Sequence, residues 1–171
     1  MKIIKSTLAD IESIVQLYDM AIAFQNQKKG TPWPKNSKEL IETEIREERQ
    51  YKLIINNEIA CIWVYTFNDP EIWGIKNQDS SIYIHRIAAH PKYRGQDLIS
   101  NVFEWTKIYA LKNNLNYIRL DIAGVNLGLI NLYKKNGFTY LGTTIIEDPK
   151  NLPTHYHNIE VCLLEMCLNV D

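Results

Sequence analysis

Residues 90–100 read HPKYRGQDLIS. A proline-set turn, an Arg-Gly pair and an apolar run at helical spacing make a place where an anion can sit. A helix start aims amide N–H groups outward, and the helix dipole adds partial positive charge there. Arg94, Gly95 and Gln96 suit such a cradle. Asp97 stands about where a second glycine would give the backbone free access to positive φ. Two readings of Asp97 stand. It is a helix-start residue, favoured by roughly 0.3–1 kcal/mol through the dipole; or it belongs to a variant cradle whose main-chain donors hold the anion while the carboxylate turns away. Elsewhere, His155 and His157 lie two apart, on one side if the segment is a strand. No third ligand accompanies them, so no metal is expected. Cys61, Cys162 and Cys167 show no close C-x-x-C spacing and read as free or buried thiols of a reducing cytoplasm.

The elements that must position this loop follow from periodicity. Residues 2–5 suit a short strand, and Thr7 with Asp10 offers a helix start. Ile11, Ile14, Val15, Tyr18, Ala21 and Ile22 then fall at helical spacing. Gly30, Pro32 and Pro34 break the pattern, after which Ser37 caps a charged helix with Leu40, Ile41 and Ile45 to bury. An Asn56-Asn57 turn joins two strands; in the second, Cys61, Trp63, Tyr65 and Phe67 alternate onto one face. A polar loop carries Trp73, a long strand leads into the 90–100 loop, and a helix runs to about Lys112. A strand, a short helix stopped at Gly137 and two strands able to pair antiparallel close the chain. This order predicts one α/β domain over residues 1–171, with a mixed, mostly antiparallel central sheet flanked by helices.

The totals exclude several functions. The 171 residues are enough for one domain with a real core. Nineteen Lys and Arg against twenty Asp and Glu leave a net charge of −1, which argues against a broad basic surface for nucleic acid. The N-terminus turns polar after four residues, so no leader is read there, and no run is long enough to span a membrane. The expected setting is cytoplasmic.

IAAHPKYRGQ, then RLDIAGVN feeding LINLYKKNGF, together resemble the GCN5-related N-acetyltransferase superfamily, whose members move an acyl group from acyl-coenzyme A to an amine. The element order is similar over nearly the whole chain; the specific motifs cover residues 81–138. The resemblance implies acetyl-CoA as cosubstrate, with its pyrophosphate over Arg94, Gly95, Gln96, Asp97, Leu98 and Ile99. Asp97 departs from a family glycine and Ile99 from a small residue. Main-chain groups of Ile87, Ala88 and Ala89 would hold the pantetheine arm. Asn126 matches a position that contacts the coenzyme, and is equally suited to be an N-cap.

The resemblance places Tyr133 as the general acid that protonates the leaving thiolate; its place on an apolar helix face also suits a core aromatic. Many relatives carry Glu where this chain has Tyr83. His85, on the expected strand face of Tyr83 and Ile87, is then the candidate base, or else a buried, paired histidine. Arg86 points to the opposite face and is expected to make a structural pair. Trp33, Trp63, Phe67, Trp73 and Tyr83 come from segments that surround the acceptor in this family, and would wall an apolar amine or a cation or fill the core. The implied partner is a small-molecule or peptide amine, acted on by a monomer or homodimer. A non-catalytic acyl-CoA binding or interaction domain is the alternative.

Overall fold

The computed structural model describes residues 1–28, 31, 33–146 and 158–168; His155 and His157 lie outside them. Among the described residues, strands β1 (Lys2–Lys5), β2 (Gln50–Ile55), β3 (Glu58–Thr66), β4 (Ser81–Ala89), β5 (Tyr117–Ala123), β6 (Thr139–Ile146) and β7 (Ile159–Cys167) form a sheet in the order β1-β2-β3-β4-β5-β7-β6. Helices α1 (Ile11–Gln27), α2 (Lys38–Arg46), α3 (Pro70–Trp73), α4 (Leu98–Lys112) and α5 (Leu127–Lys135) complete the α/β fold. The sheet is mixed and mostly antiparallel, with β4 and β5 parallel. No helix among the described residues is long and apolar enough to cross a membrane. The chain groups into two compact units, Met1–Tyr65 with His85–Trp105, and Thr66–Ile84 with Thr106–Asp171.

In the first unit the helix starts follow their residue types. Thr7 donates to the Asp10 carboxylate from both N–H, at 2.7 Å, and Oγ1, at 2.8 Å. Ser37 Oγ accepts the Leu40 N–H at 3.1 Å and caps α2. Asn56 and Asn57 take φ of 50° and 62°, as a two-residue hairpin turn requires. The apolar faces of α1 and α2 bury Ile14, Leu17, Tyr18, Ile41 and Ile45 against Ile62 and Ala88. Leu40, expected in that core, is 42% exposed. Glu44 is buried in its stead, because it lies on the helix face of Ile41 and Ile45 and has a cationic partner there.

That partner is Arg86, whose expected structural pair is present. Its Nη2 donates to Glu44 Oε1, its Nη1 donates to Asn36 Oδ1 at 2.7 Å, and its guanidinium lies 5.4 Å from the Tyr18 ring centroid. Burial pushes the Tyr18 phenol up to about 12. Arg86 has φ of 51° inside β4. A left-handed conformation costs a non-glycine residue of order 1–2 kcal/mol. It also interrupts the regular pleat that would set Tyr83, His85 and Ile87 on one face.

In the second unit the parallel register is short, pairing Ser81, Ile82 and Tyr83 with Tyr117, Ile118 and Arg119. Strand β7 lies antiparallel between β5 and β6. The stretch expected as a polar loop instead forms α3 and a 3-10 turn, Gly74–Gln78. Pro70 opens α3, where its missing N–H costs nothing. The turn carries Trp73 inward against Ile72, Tyr83, Ile146 and Val161.

Asp10 ties α1's entry to β2, since Lys52 Nζ lies 2.5 Å from its Oδ2. Burial opposes ionisation of Asp10, but Lys52 and the two Thr7 donors outweigh it and hold its pKa below the ordinary value. A depressed carboxylate stabilises the fold above its unfolded pKa and loses that contribution as pH falls through the folded one. Asp10→Asn should therefore destabilise the protein at neutral pH by roughly 1–3 kcal/mol. In urea melts the gap from the parent should shrink as the pH falls below about 4. A gap of constant size down to acid pH would contradict this.

Candidate functional site

The loop after β4 is built by local donors and two left-handed residues. His90 Nδ1 accepts the Lys92 N–H at 3.1 Å and starts a 3-10 turn, Pro91–Tyr93. Gln96 N–H then returns to the Tyr93 carbonyl at 3.3 Å. Gly95 has φ of 81° and Asp97 of 51°, and α4 begins at Leu98. Asp97 thus takes the conformation that a glycine would take. Its carboxylate accepts the Ser100 hydroxyl at 2.7 Å, and its carbonyl accepts Asn101 Nδ2 at 3.2 Å. Asp97 therefore leads into the helix, with its carboxylate bonded onto the helix's first turn. A Cβ on Gly95 would meet no atom within 4 Å, so only its φ demands glycine.

The loop is also held from outside. The Arg94 guanidinium lies 3.9 Å from the Phe24 ring centroid, near the end of α1. Glu58, beside the hairpin turn, accepts the Tyr93 hydroxyl at 2.6 Å and Lys92 Nζ at 2.6 Å. Lys92 and then Tyr93 hold its carboxyl below the usual range, and the Glu58 bond pushes the Tyr93 phenol up. Sequence reasoning missed Phe24 and Glu58. Neither lies in a motif, and nothing in their local pattern signals a contact so distant in sequence. Leu98 anchors the start of α4 by burial, while Ile99 is half-buried.

On α5, Asn126 is the N-cap, accepting the Leu129 N–H at 3.1 Å. Tyr133 is buried with Ile130 on the inner face of that helix, its ring 6.2 Å from Phe138. Gly137, with φ of 93°, follows the helix end as expected.

The aromatic residues divide. Trp63 has no exposed surface; its ring lies 6.0 Å from Tyr51 and 5.5 Å from Trp105, within the core. Trp73 and Tyr83 are also buried, and the cation they face is the chain's own. The Arg119 guanidinium lies 5.0 Å from the Trp73 ring, 4.7 Å from Tyr117 and 6.0 Å from Tyr83. Asp79 accepts from it at 2.5 Å, Glu165 at 2.7 Å and the Tyr83 oxygen at 3.3 Å. Trp73 and Tyr83 thus pack around Arg119 in the interior of the second unit, the core alternative for these rings. Trp33 is half-buried, edge-on to Tyr18 at 6.4 Å. Phe67 lies just past the end of β3 and is 48% exposed. His85, Ile87 and Ala89 are half-buried and Ala88 is buried. The first unit thus holds residues 85–89 and the whole loop; the second holds Asn126 and Tyr133.

The left-handed backbone at position 97 yields a stability ordering. Asp97→Gly and Asp97→Asn should melt within a few degrees of the parent, because both residues accept that conformation. Asp97→Val should lose roughly 1–3 kcal/mol, since a β-branched residue is strained there. Equal melting of the valine and glycine variants would contradict the left-handed assignment.

Comparison with known proteins fits this arrangement. Residues 15–138 match the family model described as the acetyltransferase (GNAT) family. A Bacillus subtilis (strain 168) protein, named as the uncharacterised N-acetyltransferase YesJ, is 30% identical over 74 residues. That match spans 43% of this chain and 41% of the relative. A crystal structure of a GNAT-family acetyltransferase from Listeria monocytogenes superposes with a TM-score of 0.77 at 18% identity, covering 98% of this chain and 94% of that one. The Escherichia coli ribosomal-protein-S18-alanine N-acetyltransferase superposes at 0.69 with 17% identity, covering 99% and 95%. The latter two show a shared fold. Because the family match also takes in the loop, Asn126 and Tyr133, the sequence and the fold agree: the chain belongs to the GNAT acetyltransferase family.

Proposed function

We propose that this chain, as one domain over residues 1–171, is an N-acetyltransferase that uses acetyl-CoA and acetylates an amine of a small molecule or peptide by direct attack. The observation that carries the reading is the left-handed Gly95–Asp97 turn running into the start of a fifteen-residue helix within the family match. The fit to a diphosphate rests on the backbone: Asp97 keeps a glycine-like φ, and its carboxylate is bonded to Ser100. Main-chain N–H groups of residues 95–99 would hold the diphosphate, with Arg94 beside it, and the resemblance makes Asn126 a further coenzyme contact. Main-chain groups of Ile87, Ala88 and Ala89 would hold the arm.

The coenzyme, when bound, supplies an acyl group activated as a thioester. The chain's own residues manage protons. Tyr133 holds one at its phenol oxygen for a departing thiolate, and His85 takes one from the amine at a ring nitrogen, directly or through water. Of the five candidate wall residues, Phe67 and Trp33 keep exposed surface with which to meet the acceptor. Cytoplasmic residence accords with this use of a metabolic thioester. The burial of Tyr133 favours a second reading, a non-catalytic acyl-CoA binding module.

Thiol release from acetyl-CoA across an amine library separates the two. Turnover with at least one amine is expected; saturable coenzyme binding without turnover would establish the module. On an active acceptor, Tyr133→Phe should lower kcat by roughly 10²–10⁴-fold with coenzyme affinity unchanged. Full turnover in that variant would return Tyr133 to the core.

His85→Gln should lower kcat/KM and remove the acid limb of the pH–rate profile on the same acceptor. An unchanged acid limb would place the base elsewhere.

A further inference from the structure

Arg86 is left-handed inside β4, directly before the three residues assigned above to the arm of the coenzyme. Nothing in its residue type favours that conformation, so its surroundings must impose it. They are visible on three sides. Glu44 of α2 accepts from Nη2, Asn36 accepts from Nη1 at 2.7 Å, and the Tyr18 ring of α1 lies beneath the guanidinium at 5.4 Å. The Glu44 side chain is 5% exposed, and its Oε2 has no hydrogen-bond partner among the described residues. A carboxylate so placed depends on Arg86 for its neutralisation. Each side chain therefore holds the other in position.

A left-handed residue within a strand re-aims the peptide groups that follow it. Were Arg86 to relax to extended φ, the N–H and carbonyl groups of residues 87–89 would point elsewhere while the side chains of α1 and α2 stayed in place. We propose that Arg86 and Glu44 are positioning residues for the coenzyme, their buried pair setting the turn in β4 and so the main-chain groups of residues 87–89. The proposal rests on the reading of those residues as the coenzyme's holders. It gives α2 a part in binding a ligand that it need not touch.

Glu44→Gln, Arg86→Met and the double variant test it. Two quantities are measured: calorimetric affinity for coenzyme A, and backbone amide shifts of residues 87–89 in the ligand-free protein. Each single variant should weaken coenzyme A about tenfold and move those shifts. The double variant should bind no worse than the weaker single one, because both remove the same device. Should Glu44→Gln fail to fold, Asn36→Ala removes one tether only and should weaken binding about threefold with smaller shift changes. Shifts and affinity equal to the parent's, even with lowered Tm, would overturn the proposal and leave the pair purely structural. Additive losses in the double variant would also overturn it. If the shifts move but the parent itself does not bind coenzyme A, the hold on the strand stands, while its role in binding falls together with the proposed function.

Discussion

Arg86 carries a charge into the interior of the first unit, where Glu44, Asn36 and the face of Tyr18 receive it. Two magnitudes decide why its backbone stays left-handed. The conformation costs of order 1–2 kcal/mol, whereas separating a buried ion pair costs roughly 3–5 kcal/mol. The pair prevails. Through it, α1 and α2 become more than cover for the sheet: they determine how β4 presents its backbone just before the loop. The same pair explains an otherwise odd burial in α2, where a glutamate lies inside while Leu40 faces solvent.

The loop that follows solves a related problem by different means. Gly95 meets a left-handed φ with no side chain to strain it, while Asp97 meets one with a side chain that finds a partner in Ser100. Asparagine and aspartate tolerate this region better than other residues because they bond locally. A carboxylate in the first turn of α4 is also favoured by the helix dipole. Asp97 therefore holds a glycine-like φ while its side chain is bonded locally. Phe24 under Arg94, and Glu58 against Tyr93 and Lys92, fasten the loop at both sides.

Much of this was legible in the sequence because it is local. Thr7 with Asp10, Ser37, the Asn56-Asn57 turn, Asn126 and Gly137 each act within a few residues, and each does what its type implies. The alternation of Cys61, Trp63 and Tyr65 marked a buried strand face in the same way. What escaped depends on partners far along the chain. Trp73 and Tyr83 read equally as walls for an apolar amine or a cation and as core, and only the fold reveals that Arg119 lies against them. The left-handed Arg86 interrupts a strand that periodicity reads as regular, because its cause lies on α2 and not in its neighbours.

The central claim is that residues 95–99 retain a diphosphate-binding backbone despite Asp97. A crystal structure of the protein with coenzyme A tests it most directly. The account predicts the diphosphate oxygens within hydrogen-bond distance of main-chain N–H groups of residues 95–99, with the Asp97 carboxylate still on Ser100. Coenzyme bound elsewhere on the chain, or a loop that must abandon its left-handed turn to admit the diphosphate, would contradict it.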